Sequence, residues 1–289
     1  MRIAGSWDPA AVTAERIAEG EKAVIAAYEA GYTLFDHADI YCRGKSEEIF
    51  GSALKKVPGM REKVLIATKC GIRFPGEPNP DSPHRYDFSA EHILKSCDLS
   101  LQRLGVETID IYQLHRPDLL MDPDEIAGAF DKLRMAGKVR YFGVSNFLPS
   151  FVSLLKCSVN QPLIVNQVEI HLGRLDCFHD GTLDQCIEQN MTPLSWSPLG
   201  GGWLGDGSMS EDPDRLKLQE LLDKTAADHD VTRTAIALAW LMKHPSKIIP
   251  IVGSANPDRI RAAAKADEVE LSREEWYRIL IAARGKALP

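Results

Sequence analysis

No apolar stretch of this 289-residue chain approaches the roughly 20 residues that a membrane-spanning helix needs. The opening Met1-Arg2-Ile3-Ala4-Gly5-Ser6-Trp7 has neither the charged nor the apolar region of a signal peptide, so a cytoplasmic setting is expected. A basic excess is missing as well. The formal net charge is −7 and the pI is near 5.7, which argues against a nucleic-acid footprint but not against a local phosphate pocket. The six cysteines include no CxxC and no zinc-like cluster, so reduced thiols are the plain reading. His37, Asp39, His171 and His179 fall in no ligand spacing such as HExxH, so no metal is expected. No GxGxxG follows a strand-like run, which removes support for a Rossmann-type dinucleotide site. Nor does any low-complexity stretch or charge run offer a linker. The expectation is one domain over residues 1–289.

What is present is 44% apolar residues and 26% charged residues, enough for a sizeable core in a soluble protein. Apolar, β-rich runs at 2–5, 33–36, 64–69, 109–114, 139–144, 163–168, 192–196 and 248–252 alternate with helix-period segments. Those segments lie near 14–30, 46–55, 89–104, 123–136, 148–156, 183–190, 214–243 and 256–265. In the third of them, Ile93, Leu94, Cys97, Leu101 and Leu104 share one face, and Ser89 suits an N-cap. Gly31 and Gly137 suit C-terminal stops. Eight strand–helix units predict a single (β/α)8 TIM barrel, with extra helices near 214–243 and 272–285. Two long loops, 70–88 and 197–213, follow strands and belong on the face where such barrels carry their chemistry.

Four polar side chains stand where apolar runs end. Asp36 follows Thr33-Leu34-Phe35, with Tyr41 five residues on. Lys69 ends Val64–Thr68, and His115 ends Ile109–Leu114. Catalytic groups of a parallel barrel gather at the carboxyl ends of its strands. An acid, a phenol, an ammonium and an imidazole there suggest a proton-transfer site. Taken alone, Lys69 and Asp36 read better as a structural ion pair, His115 more often as a satisfied core histidine and Trp196 as core packing.

The wording of the chain adds to this. The stretches FDHADIY from Phe35, TKCG from Thr68, LHRPD from Leu114 and GKVRYFGVSNF from Gly137 resemble those of the aldo-keto reductases. So do NQVE from Asn166, SWSPLGGG from Ser195 and IVGSANPDRI from Ile251. The HADIY and LHRPD wording is shared with the YdhF-like bacterial branch. The resemblance implies a catalytic tetrad of Asp36, Tyr41, Lys69 and His115. Tyr41 would be the general acid, Lys69 would lower its pKa, Asp36 would hold Lys69, and neutral His115 would orient a carbonyl.

Cofactor residues follow from the same resemblance. Ser145, Asn146 and Gln167 match the partners of a nicotinamide carboxamide, and Trp196 the aromatic that stacks on the ring. Ser197, Leu199 and Gly200 match the turn around the pyrophosphate, and Gly253, Ser254, Asn256 and Arg259 the grip on the adenosine end. Many relatives carry lysine at the position of Gly253, and polar groups where Ala262 and Ala263 stand. Arg259, able to contact a phosphate bidentately, favours NADPH, with NADH possible. Trp7 and Trp203 are candidates for the substrate pocket. The short start and tail imply that the bottom hairpin is missing and the lid reduced. The implied function is NADPH-dependent reduction of small-molecule aldehyde or ketone carbonyls by a monomer. The alternative is a redox-sensing regulatory subunit of the same fold with little turnover.

Overall fold

The computed structural model describes residues 3–289. Two compact units appear, Met1–Asn166 and Gln167–Pro289. The first contains α1 (Ala14–Glu29), β1 (Leu34–Asp36), α2 (Lys45–Lys56), β2 (Leu65–Cys70), β3 (Ile72–Arg73), β4 (Arg85–Tyr86), α3 (Ala90–Leu104), β5 (Ile109–Leu114), α4 (Pro123–Met135), β6 (Val139–Ser145) and α5 (Pro149–Leu155). The boundary falls inside β7 (Leu163–Glu169). The second unit continues with α6 (Thr182–Glu188), β8 (Thr192–Trp196), α7 (Pro213–Asp228), α8 (Arg233–Met242), β9 (Ile249–Pro250), α9 (Pro257–Ala264) and α10 (Arg273–Arg284).

In the first unit β1, β2, β5 and β6 lie side by side in chain order, all parallel. The register aligns Asp36 with Ala67, Lys69 with Gln113, and Gln113 with Gly143. All six residues of β5 are buried, as expected where helices cover a parallel sheet and both faces of a strand meet protein. Asp110 accepts from the Ile66 amide at 2.9 Å and pairs with Arg61 and Arg140, each at 3.0 Å. It fixes the start of β5 against β2. Helix starts follow their cap residues: Ser89 accepts from the His92 amide, and Asp122 from those of Asp124 and Glu125. Ile93, Cys97 and Leu104 of α3 are fully buried, the face expected from periodicity.

The second unit has its own core. Trp240 is fully buried and stacks on Trp276 with ring centroids 4.9 Å apart and planes 6° apart. Each indole N–H donates to the other residue's backbone carbonyl, at 3.0 and 2.9 Å. This satisfies both polar tips in a largely apolar setting.

Several sequence expectations need correction. Ile3 to Gly5 form a turn and bend where a strand at 2–5 was expected, and Arg2 lies outside the described residues. The helical stretch 214–243 is two helices, α7 and α8, parted by a turn in which Asp230 adopts φ +54 and Thr232 caps the second. The strand at 248–252 shrinks to β9 because Pro250 has no N–H for the ladder; Ile251 makes the last bond, to the Ser195 carbonyl at 2.8 Å. The loop at 70–88 contains the antiparallel hairpin of β3 and β4.

Helix α2 is joined to β2 and α3 through Glu47, which has no exposed surface. Its carboxylate accepts from Thr68 Oγ1 and Arg103 Nε, both at 2.6 Å. Removing one partner of an enclosed ion pair strands the other. Glu47→Ala is therefore expected to lower the unfolding free energy by about 3 kcal/mol, measured by urea denaturation.

Candidate active site

Three strands of the first unit deliver three of the expected side chains at their ends. Asp36 ends β1, Lys69 is the penultimate residue of β2, and His115 directly follows β5. Its amide extends the ladder by donating to the Cys70 carbonyl at 2.9 Å. Tyr41 opens a 3₁₀ turn, Tyr41–Gly44, between β1 and α2. Lys69 is completely enclosed, and its Nζ donates to both Asp36 oxygens at 2.7 and 2.6 Å and to the His37 carbonyl at 2.7 Å. Burial pulls the Lys69 pKa down, but the Asp36 carboxylate and a hydrogen bond with Tyr41 outweigh it, and the net shift is upward. The ammonium is thus locked in its charged form. Its Nζ lies 5.3 Å from the Tyr41 ring centroid.

His115 stands edge-on to Tyr41, with ring centroids 6.0 Å apart and planes 81° apart. Burial, then the charges of Lys69 and Arg116, drive its pKa well below the ordinary histidine value, so the ring is a neutral imidazole. Trp7 also meets Tyr41 edge-on, with ring centroids 6.0 Å apart. Asn146 Nδ2 donates to the His115 carbonyl at 3.2 Å and to Ser145 Oγ at 2.8 Å, which ties the end of β6 to the end of β5. Asp36, Tyr41, Lys69, His115, Trp7, Ser145 and Asn146 are thereby joined by direct contacts.

The turn carrying Tyr41 is strained. Cys42 and Arg43 both adopt φ +49 ahead of Gly44 at +88, a left-handed run that disfavours residues with a Cβ. Gly44 is required there, since an added Cβ would lie 2.5 Å from Arg103 Cδ. Arg43 stacks over the Phe74 ring at 4.3 Å and pairs with Glu77 at 2.8 Å. The turn and the long 70–88 segment are therefore bound to each other.

The remaining expected residues lie in the second unit. Gln167 is buried on β7, and Trp196 ends β8 half-buried. Ser197 follows at φ +51, and Leu199 packs into the core beside the Gly200–Gly202 turn. Trp203 is held against Gly200 and Gly173, with the Arg215 guanidinium 4.8 Å above its ring. Ser254 and Asn256 build the start of α9: Ser254 Oγ accepts from the Asn256 amide, and Asn256 Oδ1 caps Asp258 and Arg259. Arg259 and Gly253 are exposed.

Sequence reasoning missed Glu47 and Arg103, which hold the Tyr41 turn from behind, and also Asp39 and Gln113. For Gln113 a signal existed. Side chains alternate along a strand, so Gln113 shares a face with His115.

A model of the Aldo/keto reductase family matches residues 2–283. The chain belongs to that family. It is 41% identical over 278 residues to a "6-dehydroglucose reductase" of Novosphingobium aromaticivorans, covering 94% of this chain and 88% of that one. It is 40% identical over 259 residues to "Oxidoreductase YdhF" of Escherichia coli, covering 90% and 85%. Among solved structures it resembles an aldo/keto reductase from Klebsiella pneumoniae in complex with NADP and acetate. The TM-score is 0.76 at 25% identity, covering 92% of this chain and 86% of that one. Its fold class is therefore the (β/α)8 barrel of aldo-keto reductases, and it is a nicotinamide-dependent oxidoreductase.

In this aldo-keto reductase the neighbouring Asp39 has an enclosed Oδ1 without a hydrogen-bond partner among the described residues. Burial, then the nearby Glu47 carboxylate, raises its pKa from 3.8 to about 8, against the opposing pull of Arg103. The folded chain thus binds more protons than the unfolded one over that interval, so this group's contribution to stability falls as pH climbs from about 4 to about 8. Asp39→Asn is expected to remove that decline. Urea midpoints at about pH 6 and about pH 9 should separate in the wild type and converge in the variant.

Proposed function

We propose that the chain reduces aldehyde or ketone carbonyls to alcohols with NADPH, as a single catalytic domain over residues 1–289 in which Tyr41 is the general acid. The observation that carries this reading is the enclosed Lys69 ammonium, fixed on Asp36 and hydrogen bonded to Tyr41. An ammonium beside a phenol favours the phenolate and eases release of its proton. Asp36 keeps Lys69 charged and in place, so the proton travels from Tyr41 Oη to the carbonyl oxygen. Neutral His115 donates a hydrogen bond to that oxygen and orients it. Such positioned proton transfer contributes about 10²–10⁴-fold. When bound, the nicotinamide supplies the hydride.

The donor set fits that cofactor. A Cβ added at Gly201, Gly202 or Gly253 would meet nothing within 4 Å, leaving backbone that an anion can approach closely. Ser145, Asn146 and Gln167 would hold the carboxamide, Trp196 would stack on the ring, and Ser197, Leu199 and Gly200 would turn around the pyrophosphate. Gly253, Ser254, Asn256 and Arg259 would hold the adenosine end. The Arg259 guanidinium, exposed on the first turn of α9, supports NADPH because it can fork onto a 2′-phosphate. Trp7, edge-on to Tyr41, supports a pocket wall on that side, and Trp203 would supply a second aromatic surface. The relatives named 6-dehydroglucose reductase support a sugar aldehyde among the substrates, and the single family match from residue 2 to 283 supports one domain.

Tyr41→Phe should lose at least about 10²-fold in kcat while NADPH affinity changes little; full activity in that variant would end the assignment of roles. Arg259→Ala should weaken NADPH binding about tenfold, the scale of one charge-assisted hydrogen bond, and leave NADH binding unchanged. Titration of tryptophan fluorescence with each cofactor reads both.

A further inference from the structure

His115 and Gln113 are two residues apart at the end of β5, so their side chains lie on the same face of the strand. Gln113 has no exposed surface, and neither Nε2 nor Oε1 of its carboxamide has a hydrogen-bond partner among the described residues. The same holds for His115 Nδ1. Buried polar atoms are ordinarily paired, with protein or with an ordered water. Three orphaned atoms on one face of one strand therefore call for a common explanation.

The chemistry of His115 supplies it. On the reading that His115 donates to the substrate oxygen, on which this inference rests, a neutral ring must carry its single proton on Nε2. Nδ1 is then a bare lone pair and needs a donor. In a neutral imidazole, the hydrogen bond made by one nitrogen decides where the proton sits. Lys69 cannot serve, since its Nζ is committed to Asp36, the His37 carbonyl and Tyr41. The carboxamide of Gln113 offers two N–H donors. Its stem is held in place: Gln113 is the register partner of both Lys69 and Gly143, and a Cβ added at Gly143 would come within 3.4 Å of Gln113 Cγ.

We propose that Gln113 is the positioning residue that sets the tautomer of His115, its carboxamide N–H donating through one buried water to His115 Nδ1. A bridge through a single water is enthalpically close to a direct hydrogen bond. Gln113 acts only by keeping the proton on Nε2, where the carbonyl needs it.

The test is nitrogen-15 NMR of histidine-labelled, NADPH-loaded protein, with the His115 signals assigned by their loss in His115→Gln. The expected wild-type spectrum shows His115 protonated on Nε2, with Nδ1 accepting a hydrogen bond. Gln113→Met keeps the length of the stem and removes both donors. It should shift His115 towards the Nδ1-protonated form and lower kcat about 10- to 100-fold, the usual scale for losing a group that orients a functional histidine, with NADPH affinity unchanged. Gln113→Asn, which restores a carboxamide one methylene shorter, should recover part of both signals. A wild-type His115 protonated on Nδ1 would overturn the proposal without any variant having to fold. So would an unchanged tautomer and unchanged kcat in Gln113→Met. A wild-type protein that binds NADPH but reduces no carbonyl would instead defeat the functional reading, and the spectrum would still report the tautomer.

Discussion

The Lys69–Asp36 pair is the interaction on which the rest of the first unit turns. Two opposite charges are sealed from water at the ends of adjacent parallel strands, and taking each ion out of water costs several kcal/mol. Such a pair persists only when its remaining hydrogen-bonding capacity is met. Here Nζ reaches both carboxylate oxygens and the His37 carbonyl. That demand fixes the register of β1 against β2, since a one-residue slip would turn either side chain to the opposite face of the sheet. It also leaves a positive charge facing Tyr41 and His115, which adds to burial in keeping the imidazole neutral.

A second set of charges works from behind. Glu47 and Arg103 clamp α2 to α3, and Arg103 crowds Gly44. The chain between Tyr41 and α2 passes there through three left-handed residues, two of which bear side chains, at roughly 1–2 kcal/mol each. Strain of this kind survives only where surrounding contacts over-determine it, and the Arg43 contacts with Phe74 and Glu77 are part of that determination. Tyr41 therefore sits on a turn stiffened from two directions.

Much of this was legible in the sequence, for physical reasons. The period of apolar runs located the parallel strands because buried strands are continuous apolar segments, and the polar residues ending them stood out against that background. The cap at Ser89 and the stops at Gly31 and Gly137 have local causes and read locally. What escaped depended on distant partners. Nothing near Asp39 announces that Glu47 and burial will together keep it protonated. The break between α7 and α8 is hidden because both flanks are good helix formers, and the turn rests on Asp230 accepting a left-handed backbone. At 2–5 the apolar residues are buried without pairing as a strand, because an apolar pattern reports burial more directly than it reports backbone geometry.

The mutual clasp of Trp240 and Trp276 has a spectroscopic consequence. Two stacked indoles less than 5 Å apart couple their electronic transitions, which shifts and splits their ultraviolet absorption relative to that of isolated indoles. The second unit therefore carries its own optical signature of ordered packing, one that vanishes as soon as α8 and α10 separate.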